Sequence, residues 1–586
     1  MRNKYCFLKL RANVVLDGDV DLAEKEAMTF FKNAKRVSDP LVIEQKIGLP
    51  QRLSLLNARK GGCIGFIVPL GSVSLQDLIR FLNFFQEIWF ENSNSIWQET
   101  AVVKELWARS VDCSGKKFIC LLPLMACGEL LSQTKTLSPK ATDIGILTAF
   151  LSGDPHDGMK IKAPTGGGTS TQHVHSLHKY KAKFFPRLIR SFLVQYQAEL
   201  PRNSAGRVTL LDPFVGSGTA LVEASLLGID SVGVDIDKLS CAITEAKLDA
   251  LKVSSEKVEI TAKEIALTIA RIKIGVPTYK FPRPIAKKFE KWQNIEEQLE
   301  YERCITKWKY AIGNLADDQI RHLFEICLSD ALTRKFVIRM LGTGVGRFAL
   351  EIAKTSLDTL IVSNFNGLLH SVRVAESLIN GYGIAMGKAS VLHGTAVNLP
   401  LNDNSFSIVL TSPPYLPASS GREDYLVGKA ISSIALDLMT DDDIENAETS
   451  SVGSMKWRID NGDGLPQAVY DLHDWLIKDS LREIKAKPIL AYYVSLKKAL
   501  EENFRVLLPG GLAIYVIGKE SVFYRFSSRE VLYRVECDKI FAEIAKSCGF
   551  IVEDQVNVEL DKKNKNARPR SLDSFYESIF ILRKKA

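Results

Sequence analysis

One local pattern constrains the fold more than any other. An apolar run, Val208-Thr209-Leu210-Leu211-Asp212, leads into Pro213-Phe214-Val215-Gly216-Ser217-Gly218-Thr219. A helix-like stretch, Ala220 to Leu227, follows, and then a second apolar run, Ser231-Val232-Gly233-Val234-Asp235. Two strands separated by a helix cannot form a hairpin; the crossover makes them parallel. A parallel sheet needs helices on both faces, so this part of the chain is expected to be α/β. The glycines let backbone approach a ligand closely, and the helix start offers unpaired N–H groups.

The two acids narrow the ligand. Dinucleotide folds seat a pyrophosphate at such a turn. Here Asp212 ends the first strand, where its charge repels phosphate and suits an ammonium group. Asp235 ends the second, where an acid accepts hydrogen bonds from ribose hydroxyls. An acid for an amine beside an acid for a ribose fits S-adenosyl-L-methionine; the plain alternative is a glycine-rich turn with capping acids. A second glycine run, Gly342-Thr343-Gly344-Val345-Gly346, has no acid before it and reads as a turn or a substrate-facing loop.

A second feature is the stretch Ser407-Ile408-Val409-Leu410-Thr411-Ser412-Pro413-Pro414-Tyr415. Neither proline can donate to a sheet, so the strand must end there in a stiff corner. The corner carries a hydroxyl, carbonyls and an aromatic ring, groups able to grip a planar, nitrogen-bearing ring. In open α/β sheets this carboxyl edge is the ligand edge. Taken alone, the same residues also describe a Pro-Pro turn with a packed tyrosine.

The rest of the 586 residues divides by pattern. Residues 1–150 read as a small α+β domain, with strands at Tyr5–Leu10 and Gly62–Val68 and helices at Asp21–Lys32 and Ser74–Asn92. Residues 151–176 are rich in turn formers and read as a linker. Residues 177–252 and 388–586 alternate helix and strand, and 253–387 read as a mainly helical insertion. The net charge of +8 is compatible with a polyanionic partner without requiring one. Ten cysteines lack any Cys-x-x-Cys pair, so no metal is expected and the thiols read as reduced. The most apolar run, Phe118 to Cys127, is too short to span a membrane. A cytoplasmic location is expected.

Taken together, Asp212-Pro213-Phe214-Val215-Gly216-Ser217-Gly218-Thr219 and Thr411-Ser412-Pro413-Pro414-Tyr415 resemble the amino-methyltransferases of DNA, the N4-cytosine/N6-adenine family. His178-Lys179-Tyr180-Lys181-Ala182-Lys183-Phe184-Phe185-Pro186 resembles the family segment lining the methionine end of the cofactor. Thr411 to Asp424, Val452-Gly453-Ser454 and Arg505 to Gly511 also resemble family patterns. The resemblance covers about 173–252 and 388–586. It implies a Rossmann-like fold that binds S-adenosyl-L-methionine through Tyr180, Lys183, Phe184, Asp212, Phe214, Gly216, Gly218, Thr219 and Asp235. It also implies a catalytic corner at Ser412, Pro413, Pro414 and Tyr415. One departure is Thr395, which stands where the family commonly carries an acid for the cofactor's adenine.

What the resemblance implies is methylation of an exocyclic base amine in duplex DNA, the base being flipped out of the stack. Serine at position 412 favours cytosine N4; adenine N6 is the alternative within the family. A tRNA guanine-N2 methyltransferase with an N-terminal RNA-binding module is a rival enzyme. A nucleic-acid-binding protein on a methyltransferase scaffold is the non-enzymatic rival. Basic stretches at Lys280–Trp292 and Lys562–Arg570 suit phosphate contacts, and the insertion is the candidate for target recognition. Partner restriction or defence proteins cannot be read from the residues.

Overall fold

The computed structural model describes residues 5–133 (without 12–13, 15–16, 56–61, 70–73, 92–107 and 114), 172–416 (without 181–183, 293 and 341–347) and 425–585 (without 444–451, 453–461, 526, 529 and 561–574). Lys183, the second glycine run, residues 453–454 and the basic stretch 562–570 therefore lie outside the described residues, as does nearly all of the expected linker.

The N-terminal part is built on six strands: β1 (Tyr5–Leu10), β2 (Lys35–Val37), β3 (Gly65–Pro69), β4 (Phe85–Glu91), β5 (Ala108–Cys113) and β6 (Lys116–Leu121). They form one antiparallel sheet in the order β2-β3-β1-β4-β6-β5. The expected helix over 74–92 is corrected here. It stops at Phe81, and β4 follows. The reason is tertiary: the buried Glu26 carboxylate accepts the amides of Asn83 at 2.8 Å and Phe84 at 3.0 Å, which pulls the chain out of the helix. The aromatic run that follows is fully buried and prefers a pleated surface.

The larger sheet comprises β7 (Thr209–Asp212), β8 (Asp230–Asp235), β11 (Ala389–His393), β12 (Phe406–Thr411), β13 (Leu507–Gly518), β16 (Ile551–Leu560) and β17 (Phe575–Arg583). Two hairpins lie outside it, β9 (Phe336–Met340) with β10 (Phe348–Ile352), and β14 (Ser521–Tyr524) with β15 (Val531–Val535). The order is β11-β8-β7-β12-β13-β17-β16. Neighbours are parallel except at β17, which runs against both β13 and β16. This is the expected mostly parallel, Rossmann-like sheet, with the order reversing between β7 and β12.

Successive strand residues feed opposite layers, as the period of two requires. Leu210, Ile408 and Ile514 enter the core on one face; Leu211, Val409 and Tyr515 enter the core on the other. The N-terminal part docks through Arg190, on the helix Pro186–Tyr196. Its buried guanidinium bonds Asn83 Oδ1 at 3.0 Å, the Arg80 carbonyl at 2.9 Å and Glu223 Oε2 at 3.1 Å.

Between β8 and β11 run the helices Lys238–Ala250, Ser255–Arg271, Arg283–Lys291, Ile295–Gly313, Asp318–Lys335 and Leu357–Gly381, with the β9–β10 hairpin among them. The second glycine run falls between these two hairpin strands, not at a strand-to-helix turn. Among the described residues no helix is long and apolar enough to cross a membrane, and no described cysteine is in a disulfide.

Candidate functional site

Asp212 is the last residue of β7, and the turn after it opens the helix Thr219–Leu226. Gly216 and Gly218 adopt φ values of 51° and 75°, the left-handed region that favours glycine. A Cβ on Gly218 would lie 2.4 Å from Thr244 Cγ2, so the turn closes only without a side chain there. Gly216 is covered by Tyr180, whose hydroxyl would be 3.3 Å from a Cβ at that position. Phe214 is half-buried and Thr219 buried in the first turn of the helix.

Both strand-end acids are bound into this turn. Asp235 Oδ2 accepts the Gly216 amide at 2.8 Å, and its Oδ1 accepts the Asp237 amide at 2.9 Å. Asp212 Oδ1 accepts the Phe214 amide at 3.2 Å and the Thr411 hydroxyl at 2.6 Å. Burial pushes the Asp212 carboxyl up to about 7; the Thr411 and Phe214 bonds oppose that shift and the Asp235 charge adds to it. Burial raises Asp235 too, with Asp237 beside it. An amide that would face a phosphate is thus taken by an acid, and a second acid stands at the strand end. The turn repels anions and suits a cationic ligand bearing hydroxyls.

A half-buried cation that the sequence gives no sign of completes this wall. Lys429, on the helix Tyr425–Ala435, reaches the Asp237 carboxylate, Ser240 Oγ at 3.1 Å and Tyr180 Oη at 3.4 Å. Its ammonium lies 4.7 Å from the Tyr180 ring centroid. Asp237 also caps the helix Lys238–Ala250, accepting from the Leu239 amide at 3.0 Å and Ser240 Oγ at 2.8 Å. Burial works against the Lys429 charge, but Asp237, Tyr180 and Asp235 outweigh it and raise its proton affinity. The segment before Tyr180 is fixed from the insertion: His178 Nε2 bonds Ser329 Oγ at 2.9 Å, and the Lys179 amide bonds Asp330. Phe184 is half-buried against the core.

The Pro-Pro corner stands beside the glycine turn because β12 and β7 are neighbours, with Val409 opposite Leu211. Thr411 is buried, Ser412 half-buried, Pro413 buried, and Pro414 and Tyr415 exposed. The Pro414 carbonyl is occupied by the Tyr492 hydroxyl at 3.0 Å. Tyr415 leaves 42 % of its surface open while its hydroxyl donates to Glu577 Oε1 at 2.8 Å. The ring lies over Gly518, where a Cβ would meet Cδ2 at 3.4 Å. An exposed aromatic face with its edge pinned is a preorganised stacking surface.

Other expectations fare differently. Thr395 sits in a turn after β11, where its carbonyl accepts the Asn398 amide at 3.2 Å. Asp403, the acid in the turn before β12, is paired with Arg505 at 2.6 Å. In the Lys280–Trp292 stretch, Phe281 and Phe289 belong to the core, Lys280 pairs with Glu302 and Arg283 with Asp442. Lys287, Lys291 and Trp292 remain on the exposed face. Three buried groups of metal-ligand type, His173, His175 and Glu223, also converge within 4.8 Å. Glu223 already carries Arg190 on its other oxygen, which matches its charge.

No family model matches the chain. It is 33% identical to the type II methyltransferase M.MjaII of Methanocaldococcus jannaschii over 137 residues, 23% of this chain and 24% of that protein. It is 26% identical to the type II methyltransferase M.MvaI of Kocuria varians over 372 residues, 60% of this chain and 79% of that one. The matched region thus spans about a quarter of the first relative and four fifths of the second. Among solved structures, TrmN from Thermus thermophilus aligns over 99% of both chains at 11% identity, with a TM-score of 0.30, a likeness too slight to build on.

Proposed function

From its homology to type II methyltransferases, we propose that this chain methylates an exocyclic base amine in duplex DNA, with cytosine N4 as the acceptor. The cofactor is S-adenosyl-L-methionine, which when bound supplies an electrophilic methyl group on sulfur. The observation that carries the proposal is the bond from Thr411 to Asp212, which joins a cation-binding turn to an amine-binding corner.

Asp212 would hold the cofactor's ammonium group, and Asp235 would accept its ribose hydroxyls on the lone pairs its backbone bonds leave over. Tyr180 and Phe214 would flank it, with Gly216 and Gly218 leaving the room and Thr219 opening the helix beneath. Asp237 and Lys429, matched in charge, would keep this wall closed without adding net charge. Lys183 and Phe184 would continue the wall on the methionine side.

A base amine is a weak nucleophile because its lone pair is delocalised into the ring. The Ser412 hydroxyl and the Pro413 carbonyl would accept its hydrogens and draw the nitrogen towards tetrahedral geometry. The Pro414 carbonyl is spoken for by Tyr492, which leaves that role to Pro413. Tyr415 would stack on the flipped base and offset part of the few kcal/mol that unstacking costs. Catalysis then comes from alignment and from fixed dipoles, with no strong base required at the nitrogen. Serine at 412, the residue the resembling family's cytosine branch usually carries there, supports cytosine over adenine.

The insertion, with Lys287 and Lys291 exposed on one helix and Trp292 exposed at its C-cap, is the proposed target-recognition region. The test is incubation with methyl-labelled cofactor and either duplex DNA or tRNA, followed by identification of the labelled nucleoside. N4-methylcytosine in DNA is the expected product, methyladenine would move the assignment within the family, and label in tRNA alone would overturn it.

A further inference from the structure

One buried cluster has no part in the chemistry proposed for the corner. His173 and His175 lie in the 3-10 turn His173–Ser176, and Glu223 lies on the helix Thr219–Leu226. None of the three is more than 2% exposed. One ligand atom of each lies within 4.8 Å of the other two. His175 Nε2 is 2.6 Å from Glu223 Oε1, and the two imidazole centroids are 4.9 Å apart.

His173 is the group that needs explaining. Among the described residues neither of its ring nitrogens has a hydrogen-bond partner. Folded proteins pair almost all their buried polar groups, because an unpaired one is destabilising. Burial lowers the His173 pKa, and the His175 ring lowers it further, so the imidazole is neutral and keeps a lone pair. The preceding residue repeats the pattern: Gln172 Oε1 is buried with no partner among the described residues. Both side chains face Gly128, where a Cβ would stand 3.1 Å from Gln172 Oε1 and 3.9 Å from His173 Cδ2. The charges nearby are compatible with a cation. Arg190 Nη1 donates to Glu223 Oε2 at 3.1 Å, and its Nε donates to Asn83 Oδ1, a side chain that Glu26 holds from behind. Arg190 thus stands between two acids, and Lys247 is turned to the Ser217 carbonyl at 2.6 Å. Glu223 Oε1 keeps its negative charge on the side of the histidines.

We propose that His173, His175 and Glu223 Oε1 form a binding site for a divalent transition metal of zinc type, with Gln172 Oε1 completing the set. Two imidazoles and a carboxylate are a zinc donor set, and tetrahedral zinc holds its ligand atoms about 3.3 Å from one another. The spacings in the cluster, from 2.6 Å up to 4.8 Å, bracket that value. The metal takes the His173 lone pair and shares Glu223 with Arg190, one on each oxygen. His175 ligates through Nε2 with its proton on Nδ1, so both rings stay neutral. Closed from water, the site is structural. It fastens the turn that leads to Tyr180 onto the helix that opens at the glycine turn.

The test takes the full chain, strips it with a chelator and titrates it with zinc. One zinc per chain is expected, and X-ray absorption at the zinc edge of the wild type should show two imidazole ligands and no sulfur. His173→Ala removes no ring hydrogen bond among the described residues, so it should fold, as circular dichroism will check. It should bind zinc about a hundred-fold more weakly, as should His175→Ala. Excess zinc should raise the wild-type melting temperature by a few degrees and leave that of His173→Ala unchanged. A wild type that binds no zinc, sulfur in the absorption spectrum, or wild-type affinity in a folded His173→Ala would each overturn the site. The absorption result needs no variant, so it decides the matter even where a variant fails to fold. None of these readouts depends on methylation, so the site and the methyltransferase reading stand or fall separately.

Discussion

The Thr411 hydroxyl donates to Asp212 Oδ1 at 2.6 Å, and both residues are buried at the carboxyl ends of neighbouring parallel strands. This contact ties the strand end that opens the glycine turn to the strand end that opens the corner. Thr411→Val keeps the shape and removes the donor. Asp212 then loses one of the two bonds that hold its charge, worth about 1.5–3 kcal/mol for a bond to a charged group. Cofactor affinity measured by calorimetry should fall by roughly ten-fold or more, while Thr411→Ser should retain it.

Asp212 also predicts a pH dependence of opposite sign for stability and for binding. Its folded value of about 7 stands above the ordinary 3.8. A raised value means that the folded state keeps the proton longer than the unfolded one. The ligand-free protein should therefore lose stability as pH climbs from 3.8 to about 7. A cationic cofactor needs the ionised acid, so its affinity should rise over the same window, by up to about ten-fold per pH unit. Asp212→Asn should raise the melting temperature of the ligand-free protein at pH 8 and abolish cofactor binding.

Lys429 is bonded to Asp237 in a nearly closed environment, with side-chain exposures of 18% and 7%. Lys429→Met leaves Asp237 buried without its cation, and breaking one side of such a pair costs about 3 kcal/mol. Thermal unfolding should show the loss, and the Lys429→Met, Asp237→Asn double variant should recover most of it. Cofactor affinity should drop in the single variant because the Tyr180 wall loosens.

How much of this was legible depended on whether the determining contacts were local. The strand, glycine turn and helix around Asp212 follow from short-range pattern, and the corner follows from two adjacent prolines. Lys429 stands 249 residues from Tyr180, and Glu577 stands 162 from Tyr415. Only the pairing of β17 with β13 and the docking of one helix bring them in. The β4 segment misread as helix makes the same point, since its conformation is set by Glu26, 57 residues upstream of Asn83.

At the corner, loss of chemistry and loss of binding should separate. Ser412→Ala and Tyr415→Ala should lose turnover with cofactor affinity nearly intact. Gly518→Val should do the same less severely, because a branched side chain would push on the Tyr415 ring from below. Equilibrium dialysis with labelled cofactor beside a single-turnover assay resolves the two quantities.

The measurement closest to the central claim is the identity of the methylated nucleoside after reaction with unmodified duplex DNA and labelled S-adenosyl-L-methionine. The proposed function, with serine at 412 as in the family's cytosine branch, predicts N4-methylcytosine in DNA, lost in Ser412→Ala. Label confined to tRNA, or a Ser412→Ala protein that methylates DNA at the wild-type rate, would contradict it.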